Sequence, residues 1–206
     1  WINKIYFIGS DTYFYWSIAD SVAKSGELKD LTIIPSVPTR TTQIGIIFFH
    51  LILSKIGING EARFIFIMLI FYLLHLSALY PINQIAKRAG LISITPRIFL
   101  FAAYLGAWHL YRYQLLVIND GFFNALSIWF VYLLVIIHQD MVGLKISDYL
   151  SIRNKNLWVL ITTGLLSTIL IFFRLQILLI HFSAMFSAII LKKYRAFGWN
   201  FVFLML

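Results

Sequence analysis

Four charged residues stand where charge is costly. Asp11, Asp120, Arg112 and Arg174 each border or interrupt a long apolar stretch of the chain. A carboxylate at a membrane surface can act as a general base and take the proton of an acceptor hydroxyl. A guanidinium can hold a phosphate through two parallel hydrogen bonds. The set therefore suits proton removal from a hydroxyl and the binding of a phosphate.

Each residue also has a plainer reading. Asp11 follows Ser10 at a helix start, where an acid favours the helix dipole by under about 1 kcal/mol. Asp120 lies in Asn119-Asp120-Gly121, which is strong turn chemistry. Arg112 and His109 lie in the outer half of a predicted span, a depth at which charge points to function. Arg112 can instead extend along its own stem to the surface, pair with Asp120 or face a phosphate. Arg174 either closes a hairpin in the head-group region or binds a lipid-linked phosphate. Tyr13, Tyr15 and Trp16 form an interfacial aromatic belt or a sugar-stacking surface, and Tyr15 is the candidate sugar contact. His50, His75, His138 and His181 lack metal-ligand spacing and read as polar packing residues. No metal site is assigned, and a divalent metal stays open.

The sequence has no Gly-rich phosphate loop, nucleophile elbow or soluble nucleotide-binding unit, so no donor held in a Rossmann-type domain is expected. It has no Cys and hence no thiol chemistry.

The elements that must position these residues are membrane helices. Of 206 residues, 61% are hydrophobic and 12% are charged, against about half and a quarter in a soluble domain. The apolar residues form continuous blocks at 64–82, 98–118, 121–137 and 157–191, not the alternation of barrel strands. Each approaches or exceeds the roughly 20 residues a crossing needs. The fold class is an all-α polytopic transmembrane helical bundle, with residues 1–206 as a single transmembrane domain. Residues 1–9 and 199–206 read as half-spans, so the chain is expected to be the N-terminal part of a longer one.

Residues 10–57 read as a first extracytoplasmic loop with two interfacial helices. In the first, Phe14, Ile18 and Val22 make an apolar face, Asp20 and Lys24 lie elsewhere, and Gly26 ends the pattern. A loop with Pro35 and Pro38 follows. In residues 41–56, Gln43, His50 and Ser54 share a polar face opposite Ile44, Phe48 and Leu51, which suggests an in-plane helix. The block 157–191 is too long for one crossing and must turn near Arg174.

With 41–56 in-plane, Lys87, Arg88, Arg97, Lys145, Arg153, Lys155, Lys192, Lys193 and Arg195 all fall on one side. The positive-inside rule makes that side cytoplasmic. The net charge of +9 then orients the spans, and nucleic acid is not an expected partner. Asp11, Asp120 and Arg174 converge on the extracytoplasmic face. The expected location is the cytoplasmic membrane of a prokaryote.

This order of elements resembles membrane glycosyltransferases of the GT-C fold, in the protein O-mannosyltransferase and aminoarabinose transferase-like branch. The segment "GSDTYFYWSIADSVAKSGEL" looks like the family's first outer helix, whose leading Asp is catalytic, and carries that role to Asp11. "PSVPTRTTQIGIIFFHLILSKIGINGEAR" looks like its Pro-containing stretch and second interfacial helix, ending at Arg63. "NQIAKRAG" is similar to the basic end of the next span, and "YRYQLLVINDGFFNALSIWF" carries the second acidic position to Asp120. The family's paired prolines are here separated as Pro35 and Pro38.

The resemblance implies an inverting transfer from a polyprenyl-phosphate sugar to a glycan, lipid or protein acceptor. Asp11 would be the base, and Arg174, with Arg112, would hold the departing phosphate. No cofactor is implied. A polysaccharide polymerase or ligase on another fold is the first rival. A transporter or flippase is the second, although its charges belong near the midplane with internal repeats, and none is seen. A structural subunit whose charges only orient it is the third.

Overall fold

The computed structural model describes residues 10–25, 44–106, 119–141, 155–173 and 176–205, with the backbone alone described at 10–14, 44, 119–121, 141, 172 and 173. Among the described residues the regular structure is helical and no strand occurs. The helices are α1 Ser10–Ser25, α2 Ile44–Lys55, α3 Glu61–Ser77, α4 Leu79–Arg88 and α5 Ile94–Leu105. They continue as α6 Asn119–Ile136, α7 Lys155–Phe173, α8 Ile177–Ile190 and α9 Tyr194–Met205. A π-helical turn, Ile137–Met141, extends α6.

Two helical stretches are long and apolar enough to cross a membrane, Glu61–Arg88 and Phe122–Asp140. The first joins α3 and α4 through Ala78, whose φ of −65° and ψ of −17° stay helical. Pro81 falls in the first turn of α4, where a missing N–H is tolerated. At the joint the Ser77 hydroxyl donates to Leu74 O at 2.7 Å and accepts from Trp129 Nε1 at 3.0 Å, which ties the joint to α6. The 28 residues of Glu61–Arg88 extend about 42 Å, well beyond a hydrocarbon core of about 30 Å.

The apolar block 157–191 forms a helical hairpin: α7 ends at Phe173 and α8 begins at Ile177. Arg174, the expected place of the turn, lies outside the described residues. The return span expected at 98–118 is described only through α5, which buries none of its side chains. Beyond Gly106 it lies outside the described residues.

The helices bury polar residues and expose apolar ones. Ile65, Leu69, Leu73 and Leu76 form an exposed stripe along α3, and Leu179, Phe182, Phe186 and Ile190 form another along α8. In contrast His50, Arg63, His75, Thr163, Ser167, His181 and Asn200 are buried. In water, apolar stripes of this extent would be costly unless covered, whereas against lipid tails they are the expected exterior. The buried polar groups connect helices. Ser167 Oγ lies 2.8 Å from His181 Nε2 and donates to Phe203 O at 3.2 Å, joining α7, α8 and α9. Asn200 Nδ2 lies 3.1 Å from His138 Nε2, joining α9 to the π turn.

Two interhelical contacts fix which helix ends lie together. Arg88 at the end of α4 forms an ion pair with Asp140 of the π turn, Nη2 to Oδ2 at 2.7 Å. Lys193, just past α8, donates to His138 O at 2.8 Å. The π turn also packs against α7, which starts at Lys155. Segments carrying Lys87 and Arg88, Lys155, and Lys192 and Lys193 therefore gather at one end of the bundle.

At the other end α1 packs along α2, and both join the first three turns of α3 and the start of α6 in a core of Tyr15, Ala19, Ile46, Phe64, Phe71 and Phe122. The buried stripe of α1 differs from the expected Phe14, Ile18 and Val22. Tyr15, Ala19 and Val22 are buried, while Ile18 is half-buried. Ala19, with its short side chain, lets α2 approach along that line. In α2 the expected polar face turns inward: His50 is fully buried while Phe48 and Ile52 are 41% and 55% exposed. Gln43 lies outside the described residues. The inward turn follows from what α2 meets, since α1 and α3 offer aromatic rings and a cation to His50.

Candidate functional site

The site is assembled around Arg63, in the first turn of α3. The chain reaches it through a tight turn out of α2. Gly57 takes φ 88°, the left-handed value that ends helices with glycine. This lets Gly57 N donate to Ser54 O at 3.1 Å and Ile58 N to Leu53 O at 2.9 Å, while Ile58 packs on the core that holds Leu53. The turn presents two acceptors to Arg63. Nε donates to Ile58 O at 3.2 Å and Nη2 donates to Asn59 Oδ1 at 2.8 Å.

The third acceptor comes from another helix. Nη1 of Arg63 donates to Asp20 Oδ1 on α1 at 2.9 Å. The arginine side chain is 1% exposed and that of Asp20 34%. The guanidinium also lies 5.9 Å from the centroid of the Trp16 ring, within range of a cation–π attraction. Trp16 in turn meets Phe64 edge-on at 4.9 Å. A buried guanidinium is tolerated when its nitrogens find partners, and here each of the three donates one hydrogen bond, with a ring beneath.

His50 completes the cluster. Its ring meets Phe64 at 6.0 Å, and among the described residues neither ring nitrogen has a hydrogen-bond partner. Burial first, and then the Arg63 charge, push its pKa from 6.5 down to about 4, against the opposing pull of Asp20. The imidazole is therefore neutral at neutral pH. This cluster docks α1, by its second half, onto the start of Glu61–Arg88.

The residues singled out in the sequence fall into three groups. Asp11 and Asp120 are each the second residue of a helix, α1 and α6, and their side chains lie outside what the structure describes. The start of α6 lies at the end of that helix remote from Asp140, and α1 is held toward the same end of the bundle through Tyr15, Trp16 and Asp20. Arg112, His109 and Arg174 lie outside the described residues. Tyr15 is 1% exposed and packs within the core, so its ring serves helix packing there. Among the described residues no three His, Asp or Glu side chains converge as metal ligands.

Asp20 and Arg63 were not foreseen as partners. Their separation of 43 positions hides the pair from any local pattern. The available signal was Arg63 itself, a cation at the head of an apolar helix that needs a carboxylate from elsewhere. Comparison of the chain with family models, curated proteins and solved structures returns no match.

Proposed function

We propose that the chain belongs to an inverting glycosyltransferase of the cytoplasmic membrane, a multi-pass protein that takes a sugar from a polyprenyl-phosphate carrier at the extracytoplasmic face. The observation that carries the reading is the docking of α1, by Asp20 on Arg63, at the end of the bundle opposite the basic segments. The positive-inside rule assigns the basic end to the cytoplasm. Helix α1, with Asp11 at its start, then lies at the extracytoplasmic surface, and the start of α6 with Asp120 belongs to the same end. The exposed apolar stripes of α3 and α8 support a bilayer around the bundle.

In this reading Asp11 takes the proton of an acceptor hydroxyl. The freed oxygen attacks the anomeric carbon from the face opposite the phosphate, so the configuration inverts. The bond from that carbon to the phosphate oxygen breaks, and the electron pair leaves with the lipid phosphate. Arg174 and Arg112 hold the developing negative charge, the point at which electrostatic catalysis acts most strongly. Asp120 and His109 belong to the sugar-binding set, from which the buried Tyr15 is removed, and the proton ends on Asp11. The hydrophobic donor enters from the bilayer and presents its polar head to the outer end.

The test is turnover. Purified full-length protein is supplied with a panel of polyprenyl-phosphate hexoses and pentoses and with extracted envelope glycans, lipids and proteins as acceptors. Sugar-dependent release of polyprenyl phosphate, matched by a glycosylated product, is expected. Background release from every donor would overturn the reading.

A further inference from the structure

At the basic end of the bundle a groove of about 530 Å³ runs between α6 and α8. Val131, Leu134 and Val135 form one wall, and Leu179, Ile180 and Ala184 the other. From Leu179 to Leu191 the groove follows α8 for about 18 Å, slightly more than one leaflet of a core about 30 Å thick. Leu179 is 67% exposed, so the groove opens sideways from the bundle.

Beyond the hydroxyls of Ser183 and Ser187 along α8, the strongly polar residues gather at one end of the groove, where the backbone is irregular. His138 and Gln139 come from the π turn, a local form that recurs at functional positions. Lys193 comes from the cap of α8. In that cap Lys193 N donates to Ala188 O at 2.7 Å and Lys192 N to Ile189 O at 3.0 Å. Lys192 takes φ 54°, a conformation in which glycine is the ordinary residue. A lysine there accepts strain, and the residue that follows it, Lys193, lines the mouth of the groove.

Among the described residues no acid is paired with Lys193. Asp140 is already held by both terminal nitrogens of Arg88. Lys193 Nζ gives one hydrogen bond to His138 O and keeps two further donors.

We propose that this groove holds one acyl chain of an anionic glycerophospholipid of the cytoplasmic leaflet, with the lipid phosphate on Lys193. The apolar walls take the chain, and the end cation chooses the headgroup. The site rests on the membrane reading above and not on transferase chemistry.

The test is native mass spectrometry of the purified full-length protein, with phosphatidylglycerol and phosphatidylcholine of equal chain length added in detergent. Retention of phosphatidylglycerol is expected to exceed that of phosphatidylcholine by about fivefold, the effect of one basic residue near a lipid surface. Lys193→Gln should abolish the preference and Lys193→Arg should keep it. Because Lys193 also bonds His138 O, a second variant guards against a folding effect. Ser187→Trp, at an exposed position on the groove wall, should remove retention of both lipids with an unchanged Tm. Equal retention of the two lipids by the parent, no lipid retained, or retention unaffected by Ser187→Trp would each overturn the lipid site alone. Release of the protein from native membranes by alkaline carbonate without detergent would overturn the membrane reading with it.

Discussion

Arg88 holds Asp140 through two parallel hydrogen bonds, Nη1 to Oδ1 at 2.8 Å and Nη2 to Oδ2 at 2.7 Å, across 52 positions of sequence. The side chains are 29% and 48% exposed, so the pair adds little stability. Its value is positional. It sets the ends of α4 and α6 at one level, and the Lys193 bond to His138 O brings the end of α8 to the same level. Helices that end together at basic segments leave their starts, and α1 with α2, at the other end.

Accessibility tests that arrangement directly. The sequence contains no Cys, so single cysteines report without background. Cysteines at Ser36 and Asn119 should react with an impermeant thiol reagent added outside intact cells, and one at Ser147 should react only after permeabilisation. The opposite pattern would remove both the topology and the outer site built on it.

The Arg63 cluster predicts graded losses of stability. Arg63→Ala empties a buried position that makes three hydrogen bonds and should cost about 3 kcal/mol. Asp20→Asn, at a partner that is 34% exposed, should cost only about 1 kcal/mol. Arg63→Lys should fall between, since an ammonium cannot reproduce the planar fork that reaches Asp20 and Asn59 together. Thermal unfolding in detergent, at one fixed scan rate, measures the series. A parent-like Arg63→Ala would make the pair incidental.

Much of the helical layout was legible because long apolar blocks state themselves in one dimension. The block 157–191 is too long for one bilayer-crossing helix, and it contains two helices, α7 through Phe173 and α8 from Ile177. Ser10, expected at a helix start, is the first described residue of α1, while Gly26 lies outside the described residues. What stayed hidden was which face of α1 and of α2 turns inward. Periodicity gave α1 the stripe Phe14, Ile18 and Val22; Val22 is buried as expected, but Tyr15 and Ala19 are buried with it and Ile18 only half so, because adjacent apolar positions compete and only the packing neighbour decides between them. It gave α2 a polar face without saying that Arg63 and Phe64 would stand beside it. Asp20 looked like a solvated acid because its partner comes from another helix. Of the candidate site, the sequence supplied the helix starts bearing Asp11 and Asp120, but not the docking that holds α1 in place.

Protonation of His50 should unsettle this docking in mild acid. Its folded pKa, about 4, lies below the ordinary 6.5, so the unfolded chain takes the proton first. Stability is fully present above pH 6.5 and declines as pH falls from there toward 4. The loss should reach about 2 kcal/mol between pH 7.5 and pH 5. Arg63 and Asp20 are the charged groups that act on the ring. His50→Leu removes the titrating group and an unpartnered buried polar one, so it should be at least as stable at pH 7.5 and flatten the slope. An equally steep loss in the leucine variant would assign the acid sensitivity elsewhere.

Asp11 is where the functional reading is most exposed to test. It lies at the start of α1, about 13 Å along the helix before Asp20, on the element that the Arg63 cluster fixes to the bundle. Asp11→Asn keeps the shape of the side chain and its capacity to serve a helix start, where Asn performs as well as Asp. A purely structural acid would therefore be replaced at little cost to folding and with transfer near the parent rate. A general base contributes roughly 10²- to 10⁴-fold. The asparagine variant should consequently fold with a Tm close to the parent, bind the polyprenyl-phosphate donor normally and transfer sugar at least about a hundredfold more slowly. Donor binding is the control that separates lost chemistry from a displaced helix, because Arg63→Ala should disturb both. Transfer by Asp11→Asn at close to the parent rate would move the role of base to Asp120, whose own asparagine variant would then be expected to show the loss.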